Sequence, residues 1–362
     1  MHVIDHANLA SVTTLELGGP ATRLITLETP EDFAALLAHV RREHLDTPRV
    51  VGSGSNVLAA DDGFDGTVIH MRTHGVDTRP HPDGRSVLVT AQADHQLQDL
   101  VDACVNQELT GIEMLSGIPG TVGATPVQNV GAYGQELSEA IHAVRAYDWR
   151  TRRYVELTAQ QCLFGHRTSR FKHTNRWTIL SVTFTLTPSR TSCPLTYRAV
   201  AEAAGVALGQ PAPLPVAVEA VRSVRMKKGM ILDPGDSDHR SVGSVFLSPV
   251  IDDATATRLR ALKASVNAFP DGSTRVSASW LIQQAGFSLG EHLAPGVRMS
   301  TKHFTLVADG LCTAAAFATA AAIVAERVQS RTGVTLTAEP DLLGTLPAYS
   351  VLTESSLETQ SR

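Results

Sequence analysis

The sequence of 362 residues predicts an α+β protein, and its length allows two or three domains. Three observations carry this prediction. A strand–helix–strand pattern near the N-terminus and a later antiparallel hairpin place both element types in the chain. Two glycine-rich loops follow apolar, strand-like segments. The first loop lacks the third glycine of GxGxxG, because Val57 stands there and no helix clearly follows, so the sequence argues against a Rossmann site.

In the first half of the chain, apolar runs bounded by turn residues predict short strands. The predicted strands are 23–27, 50–51, 67–71 and 87–90. Helices are predicted over 30–44, which opens with acidic residues, and over 97–106. Segments 143–147 and 154–157 flank a polar turn and predict a hairpin. Segment 179–186 alternates polar and apolar residues, as a half-buried strand does.

The second half is predicted to be richer in helix. A Pro/Ala/Leu-rich linker at 208–215 precedes a helix over 216–228, which Gly229 closes. The other predicted helices are 255–268, 278–285 and 313–329, and the predicted strands are 304–307 and 334–344. The polar tail from 347 to 362 is expected to be disordered.

Composition excludes several classes of protein. A hydrophobic content of 43% supports a folded core, and a net charge of −5 gives no basic field for nucleic acid. The N-terminus has no secretory pattern, and the longest apolar run, 314–324, is too short to cross a bilayer. The four cysteines lie far apart without a CxxC pair, which predicts reduced thiols in the cytoplasm and no metal site: Cys104, Cys162, Cys193 and Cys312.

The segment 117–134, GIPGTVGATPVQNVGAYG, is the strongest local signal. It holds five glycines, two prolines and no charged side chain. Glycine and proline prevent one long helix or strand, and the segment is too apolar for a solvated linker. A folded loop with exposed amides typically binds phosphate. The loop 52–56, GSGSN, has the same chemistry, so the two loops together predict a ligand with a pyrophosphate.

Other candidate residues have two interpretations each when taken alone. The loop 52–56 is by itself better explained as a tight turn. The basic segment 166–172 is by itself better explained as a solvated face than as the source of a guanidinium that chelates an anion. Ser244 follows a glycine but lacks the context of a nucleophile elbow. Glu339 precedes a proline in an apolar segment and is either a surface carboxylate or a site residue.

Six ordered motifs give the chain a family resemblance: GSGSNVL, GIPGTVGATPVQNVGAYG, FGHRTSRFK, KKGMILD, SVGSVF and TLTAEPDLLG. They resemble the UDP-N-acetylenolpyruvoylglucosamine reductases, also called UDP-N-acetylmuramate dehydrogenases, from about residue 13 to residue 344. The pattern is similar to the actinobacterial members, and LTY at 195–197 resembles the tyrosine loop of the longer, type I form.

The resemblance implies a vanillyl-alcohol-oxidase-type FAD-binding fold, with non-covalent FAD in two α+β subdomains and a C-terminal α+β substrate domain. It implies NADPH as hydride donor and the enolpyruvyl ether of UDP-N-acetylglucosamine as acceptor. The product would be UDP-N-acetylmuramate, a peptidoglycan precursor needed for cell shape and division. The implied domains are 1–72 completed by about 334–346, 73–215 and 216–333. A cytoplasmic monomer without nucleic-acid or membrane partners is expected.

The resemblance also implies roles for individual residues. Arg167 matches the family's active-site arginine, Ser244 its proton donor and Glu339 its catalytic carboxylate. Substrate contacts fall on Tyr197, Lys228, Ser248 and Gln284. The positions that match FAD contacts are Gly52, Ser53, Gly54, Ser55, Asn56, Val57, Gly117, Ile118, Pro119, Gly120, Thr121, Gly123, Gln128, Asn129, Gly131, Ala132, Tyr133 and Gly134.

The chain departs from the family pattern at a few positions. His166 replaces the usual tyrosine and Ser248 the usual asparagine, which is a substrate contact in the family. The other departures are Thr125, Val245 and Leu247. They keep two alternatives open: a divergent flavoenzyme of the same fold that acts on another substrate, and a non-catalytic nucleotide-binding protein.

Overall fold

A computed structural model of the chain describes residues 1–269 and 271–359, without the side chains of 354–359. The chain forms two compact units. Unit 1 comprises Met1–His6, Thr22–Ser53 and Gly66–Ile231. Unit 2 comprises Ala7–Ala21, Gly54–Asp65 and the chain from Leu232 onward. The division into three domains stays a prediction.

Helices and strands are numbered in chain order. The strands are β1 His2–Asn8, β2 Pro20–Leu27, β3 Arg49–Val51, β4 Val57–Ala59, β5 Phe64–Met71, β6 Val76–Pro80, β7 Val87–Gln92, β8 Leu109–Thr110, β9 Gly131–Ala132, β10 Gln135–Glu136, β11 Ile141–Asp148, β12 Arg153–Thr158, β13 Trp177–Pro188, β14 Val266–Ala268, β15 Thr274–Val276, β16 His292–Ala294, β17 Val297–Met299, β18 Leu306–Ala308 and β19 Asp341–Leu343. The α-helices are α1 Asp32–Arg42, α2 Leu97–Asn106, α3 Arg198–Ala204, α4 Leu214–Lys227, α5 Asp253–Ala261, α6 Ala278–Gln284, α7 Ala314–Thr332 and α8 Pro347–Thr359. Short 3₁₀ helices occupy Leu9–Val12, Glu113–Leu115, Val122–Ala124, Leu137–Glu139 and Gln160–Cys162.

The larger sheet of unit 1 is antiparallel. Its strand order is β12-β11-β13-β7-β6, and β8 pairs with β13. Alternate residues of β13 point to one face, so Val182 and Phe184 are fully buried in a core that also contains Leu97 and Leu100 of α2. The predicted hairpin is confirmed as β11 and β12, with Val144 opposite Leu157.

The smaller sheet of unit 1 has the order β1-β2-β5-β3, in which β3 and β5 run parallel. Helix α1 buries Phe33 and Leu36 in a cluster with Ile25 and Ile69. At the start of this helix, the Asp32 carboxylate accepts hydrogen bonds from the Glu28 and Thr29 amides. The predicted strand–helix–strand unit is therefore confirmed.

Unit 2 is built around α7, whose alanine-rich face allows close packing in a core with Phe317 fully buried. Thr313 caps its first turn by accepting from the Ala316 amide, and Gly333 ends it at φ +73°. In this unit β4 pairs with β19 in parallel, and β16, β17 and β18 form a small antiparallel sheet. Strand β4, not a helix, follows the first glycine-rich loop, as expected outside a Rossmann fold.

Three predictions about unit 2 were wrong. The strand predicted over 334–344 is confined to β19, Asp341–Leu343, because Pro340 lacks the N–H that a continuous ladder requires. The helix predicted over 255–268 ends as α5 at Ala261, because Lys263 adopts φ +62° and the chain then turns into the β14–β15 hairpin. The tail from 347 was expected to be disordered, yet it begins with α8. Tyr349 and Leu352 of this helix are buried, and the burial of their apolar surface offsets the conformational entropy lost when the helix becomes ordered. Residues 360–362, for which disorder was also expected, lie outside the described part of the chain.

Candidate active site

The two glycine-rich loops approach each other at Gly52 and Thr121, which both belong to unit 1. Gly52 directly follows β3, and a Cβ at this position would lie 2.4 Å from the Thr121 hydroxyl oxygen. Only glycine allows this approach without displacing Thr121. Gly52, Ser53, Gly117 and Gly120 are half-buried, while Thr121 is buried. The first loop is therefore held against the second, and part of their backbone stays accessible.

The second loop is fixed by hydrogen bonds to the segment that leads into α2. The amides of Val122 and Gly123 donate to the carbonyls of His95 and Ala93, at 2.9 and 2.7 Å. A Cβ on Gly123 would lie 2.7 Å from that of Ala93. The Gln98 side-chain oxygen accepts from the Gly117 amide at 2.5 Å. These contacts preorganise the loop, so a ligand would not have to order it.

The basic segment, interpreted alone as a solvated face, contacts the second loop. The Arg167 guanidinium donates to the carbonyls of Gly131 and Asn129, at 2.7 and 3.3 Å. The buried Asn129 amide donates to Glu136 and to the Gly165 carbonyl, and Ser169 donates to the Val127 carbonyl. The structure thus joins two motifs that the sequence analysis could relate only through the family resemblance.

Arg167 has an unusual backbone conformation. Its φ is +54°, in the left-handed region that non-glycine residues rarely adopt. Such a conformation costs about 1–3 kcal/mol and persists only where the surroundings enforce it. Neighbouring Asn129 and Tyr133 also have positive φ, at +44° and +51°. This concentration of strain is typical of functional sites.

Tyr197 and Lys228, the predicted substrate contacts of unit 1, are both exposed. The Tyr197 ring meets the Tyr133 ring edge-on at 5.5 Å. Lys228 follows the last turn of α4, where its amide donates to the Arg225 carbonyl at 3.1 Å.

Arg225 is a candidate residue that the sequence analysis did not single out. Burial lowers the pKa of its guanidinium, and the nearby Tyr133 hydroxyl, which is hydrogen-bonded to it, opposes that shift. Its Nη2 donates to the Met230 carbonyl at 3.0 Å, while its buried Nε has no hydrogen-bond partner among the described residues. A Cβ on Gly117 would lie 3.1 Å from its Cδ. An orphaned buried donor beside a glycine-rich loop fits an absent ligand.

Ser244 and Glu339 lie close together in unit 2. The Glu339 amide donates to the Val245 carbonyl at 2.9 Å, and Phe246 pairs with Ala338 in an antiparallel bridge. Gly243 turns the chain at φ +71°, and its carbonyl accepts from the Thr305 hydroxyl at 2.6 Å. Backbone pairing therefore brings the segment of Glu339, which is half-buried, alongside the segment that follows the exposed Ser244, although 94 residues separate the two in the sequence.

Ser248, a departure from the family pattern, lines a small cavity of about 60 Å³ in unit 2. Ser244, Ser277, Ser279 and Phe304 also line it. Predicted Gln284 is the last residue of α6 and is exposed. The structure thus brings together Ser244, Ser248 and Glu339 within unit 2.

Two further properties bear on the chemistry. Among the described residues, no group of three or more His, Cys, Asp and Glu side chains is arranged to hold a metal ion. No helix in the described part of the chain combines the length and apolar character needed to cross a membrane.

Comparisons with known proteins agree with this geometry. Residues 21–155 match the family model for an FAD-binding domain. Residues 233–343 match the model for the C-terminal domain of UDP-N-acetylenolpyruvoylglucosamine reductase. A crystal structure of the Thermus caldophilus reductase superposes with a TM-score of 0.63 and 21% identity, covering 95% of this chain and 98% of that one. The molecule is therefore an FAD-binding oxidoreductase-type protein of mixed α+β architecture, and it shares the fold of that reductase.

Curated sequence relatives identify the family to which the chain belongs. The UDP-N-acetylenolpyruvoylglucosamine reductase of Thermobifida fusca is 41% identical over 93% of this chain and 96% of its own length. The reductase of Salinispora arenicola is 41% identical over 95% of this chain and 96% of its own length. The reductase of Streptomyces coelicolor is 42% identical over 94% of this chain and 90% of its own length. The chain belongs to the UDP-N-acetylenolpyruvoylglucosamine reductase family, and it is an oxidoreductase.

Proposed function

We propose that the protein reduces UDP-N-acetylglucosamine enolpyruvate to UDP-N-acetylmuramate, with FAD as carrier and NADPH as reductant. The observation that carries the proposal is the backbone pairing of Glu339 with Val245, the residue after Ser244, in which the Glu339 amide donates to the Val245 carbonyl at 2.9 Å. In its support, curated relatives at about 40% identity carry this reductase name. The protein would act in the cytoplasm as a monomer and supply a peptidoglycan precursor.

The residues of the two glycine-rich loops fit FAD. Gly52 and Thr121 hold the two loops in contact, as a clamp on a pyrophosphate requires. We propose that residues 52–57, 117–121, 123, 128, 129 and 131–134 contact the cofactor. The buried Arg225 Nε supplies an unused donor beside Gly117. When bound and reduced by NADPH, the flavin would supply the hydride that adds to the β-carbon of the enolpyruvyl group.

Arg167 would stabilise the charge that this addition places on the substrate carboxylate and α-carbon. A guanidinium stays protonated and chelates a carboxylate with two parallel hydrogen bonds. Its hydrogen bonds to Gly131 and Asn129 and its strained backbone orient it before substrate arrives. A preorganised donor of this kind contributes about 3–4 kcal/mol in the transition state.

Ser244 would donate the proton to the α-carbon, which completes the addition of one hydride and one proton across the double bond. A serine hydroxyl is a weak acid, so it needs a polarising partner. Glu339 lies on the paired segment and is the candidate for that role. Tyr197, Lys228, Ser248 and Gln284 would contact the substrate, with Lys228 as a point charge for its diphosphate.

Half-reaction kinetics test the proposal. NADPH should reduce the yellow protein, and the enolpyruvyl substrate should then reoxidise it. Ser244→Ala should keep flavin reduction within about twofold and slow reoxidation by two orders of magnitude or more. A protein that NADPH reduces but this substrate fails to reoxidise would refute the proposed reaction. Equal loss of both half-reactions in Ser244→Ala would refute the proton-donor role.

A second candidate function is reduction or oxidation of a different substrate on the same scaffold. Ser248 favours it, because it replaces the family's asparagine and lines the cavity beside Ser244. Rescue of a cell that lacks its own reductase would exclude this candidate. A colourless preparation that cannot be reconstituted with FAD would instead support a non-catalytic nucleotide-binding protein.

A further inference from the structure

Helix α8 contacts the segment that carries Glu339. Tyr349 of this helix has no exposed surface, and its hydroxyl donates to the Pro340 carbonyl at 3.0 Å. The Ala338 amide donates to the Leu352 carbonyl of the same helix at 3.3 Å. The helix therefore holds the residues immediately before and after Glu339.

The opposite side of this segment pairs with the segment that follows Ser244. There the Glu339 amide donates to the Val245 carbonyl, and the Leu247 amide donates to the Thr337 carbonyl at 3.0 Å. Proline has no N–H, so residue 340 can be held by a backbone hydrogen bond only through its carbonyl. The Tyr349 hydroxyl supplies that bond, and without it the buried carbonyl loses the partner that fixes the turn after Glu339.

The Tyr349 hydroxyl remains a donor throughout the working range of pH. Burial raises its pKa well above the ordinary tyrosine value, and the negative charges of Asp341 and Glu339 act in the same direction. The aromatic ring packs in the core of unit 2 with Phe317 and Leu346, so the hydroxyl cannot swing away.

We propose that Tyr349 is a positioning residue for the reduction: it fixes Glu339 beside Ser244 through the Pro340 carbonyl and so makes α8 part of the catalytic apparatus. This inference rests on the proposed function for the role of Glu339. Weakening the Tyr349 bond should slow the step that uses Glu339 and leave reduction of the flavin by NADPH unchanged.

The test combines Tyr349→Phe, which keeps the ring and removes only the hydroxyl, with a double-mutant cycle. Tyr349→Phe should slow reoxidation of the reduced flavin by the enolpyruvyl substrate roughly tenfold, because small misplacements of a catalytic group are costly. In the Glu339→Gln background, the same change should have less than a twofold effect. Independent effects that multiply in the double variant would overturn the proposal.

The matched control is Val328→Ala, which removes buried volume from α7 in the same core. It should lower thermal stability and leave the reoxidation rate within twofold. Slowing in the control equal to that in Tyr349→Phe would show that general loss of packing, not positioning, causes the effect.

Amide hydrogen exchange without substrate separates this inference from the proposed function. Tyr349→Phe should speed exchange at Ala338 and Glu339 and leave Leu306 and Val307 of β18 unchanged. Unchanged exchange at Ala338 and Glu339 would refute positioning by Tyr349. If the wild-type flavin is not reoxidised by the substrate, the proposed reaction fails, while the exchange result still decides whether Tyr349 holds the segment.

Discussion

Gly52 and Thr121 lie so close that a Cβ on Gly52 would come within 2.4 Å of the Thr121 hydroxyl oxygen. Contacts this short do not occur between real side-chain atoms, and the threonine is buried. The approach therefore sets the spacing of the two glycine-rich loops. Two residues that are 69 positions apart in the sequence determine whether the proposed pyrophosphate clamp has its correct width.

Gly52→Ala is expected to weaken FAD binding at least tenfold, because the new methyl group must push the two loops apart. Its φ does not lie in the left-handed region, so the effect is steric and not a consequence of backbone strain. The measurement is the FAD dissociation constant from fluorescence titration of the apoprotein. Gly235→Ala, whose Cβ would meet only the flexible Asp233 carboxylate at 3.3 Å, is the control.

A second variant tests the cause of that loss. In Gly52→Ala combined with Thr121→Ala, the conflicting hydroxyl is absent, so a large part of the FAD affinity should return. An affinity as low in the double variant as in Gly52→Ala alone would contradict the steric explanation.

Arg167→Lys is expected to slow reoxidation of the reduced flavin by the enolpyruvyl substrate about 10²–10³-fold, since one preorganised donor contributes that much. An ammonium group retains the charge but cannot chelate a carboxylate while also donating to the Gly131 carbonyl. Flavin reduction by NADPH should change little. Arg170→Lys is the control from the same segment, because that guanidinium lies over the Trp177 ring. An effect of similar size in the control would contradict the assigned role of Arg167.

Local patterns in the sequence were sufficient to predict much of the fold. The β11–β12 hairpin flanks a polar turn, and α4 has apolar periodicity with Gly229 following its C-terminal cap residue Lys228. Predictions from local helix propensity failed where tertiary contacts decide whether a segment is helical. The helix predicted through 268 stops because the chain reverses at Lys263, and α8 forms because Tyr349 finds a buried place in unit 2.

The candidate site was less accessible to pattern reasoning. The segments of Ser244 and Glu339 come together only through backbone pairing between distant parts of the chain, which no local signal reveals. Arg225 stands in a cation-rich helix end that looks solvated in the sequence, yet the structure buries its Nε. Arg225 lies three residues before Lys228, and residues with this spacing share one face of a helix. This spacing was the signal that could have pointed from the predicted substrate contact Lys228 to Arg225.

Asp94 should make unit 1 less stable as the pH rises. The residue is 3% exposed, and burial raises the pKa of its carboxyl to about 6, while His74 and Arg72 oppose that shift. An unfolded aspartate titrates near 3.9, so the folded protein binds this proton more tightly. The stability that the group contributes is full below about pH 4 and is lost as the pH rises through about 6.

Asp94→Asn should therefore be more favourable, relative to the wild type, at pH 7 than at pH 4. Two pKa units correspond to at most about 3 kcal/mol. Unfolding followed by circular dichroism at pH 4, 5.5 and 7 measures the difference. Asp77→Asn on the exposed strand β6 is the control and should give curves parallel to the wild type. A stability change from Asp94→Asn that is the same at pH 4 and pH 7 would contradict the assignment.

Ser248→Asn tests whether the departure from the family pattern alters the substrate. The cavity of about 60 Å³ beside Ser248 has room for the additional amide atoms. If the substrate is the UDP-sugar enolpyruvate, the longer side chain should add a donor for it and lower KM several-fold, with kcat within twofold. Ser279→Ala, on the wall of the same cavity, controls for a change in cavity shape. A higher KM for the enolpyruvyl substrate in Ser248→Asn would indicate that the serine is adapted to a different ligand, and would favour the divergent flavoenzyme over the cell-wall reductase.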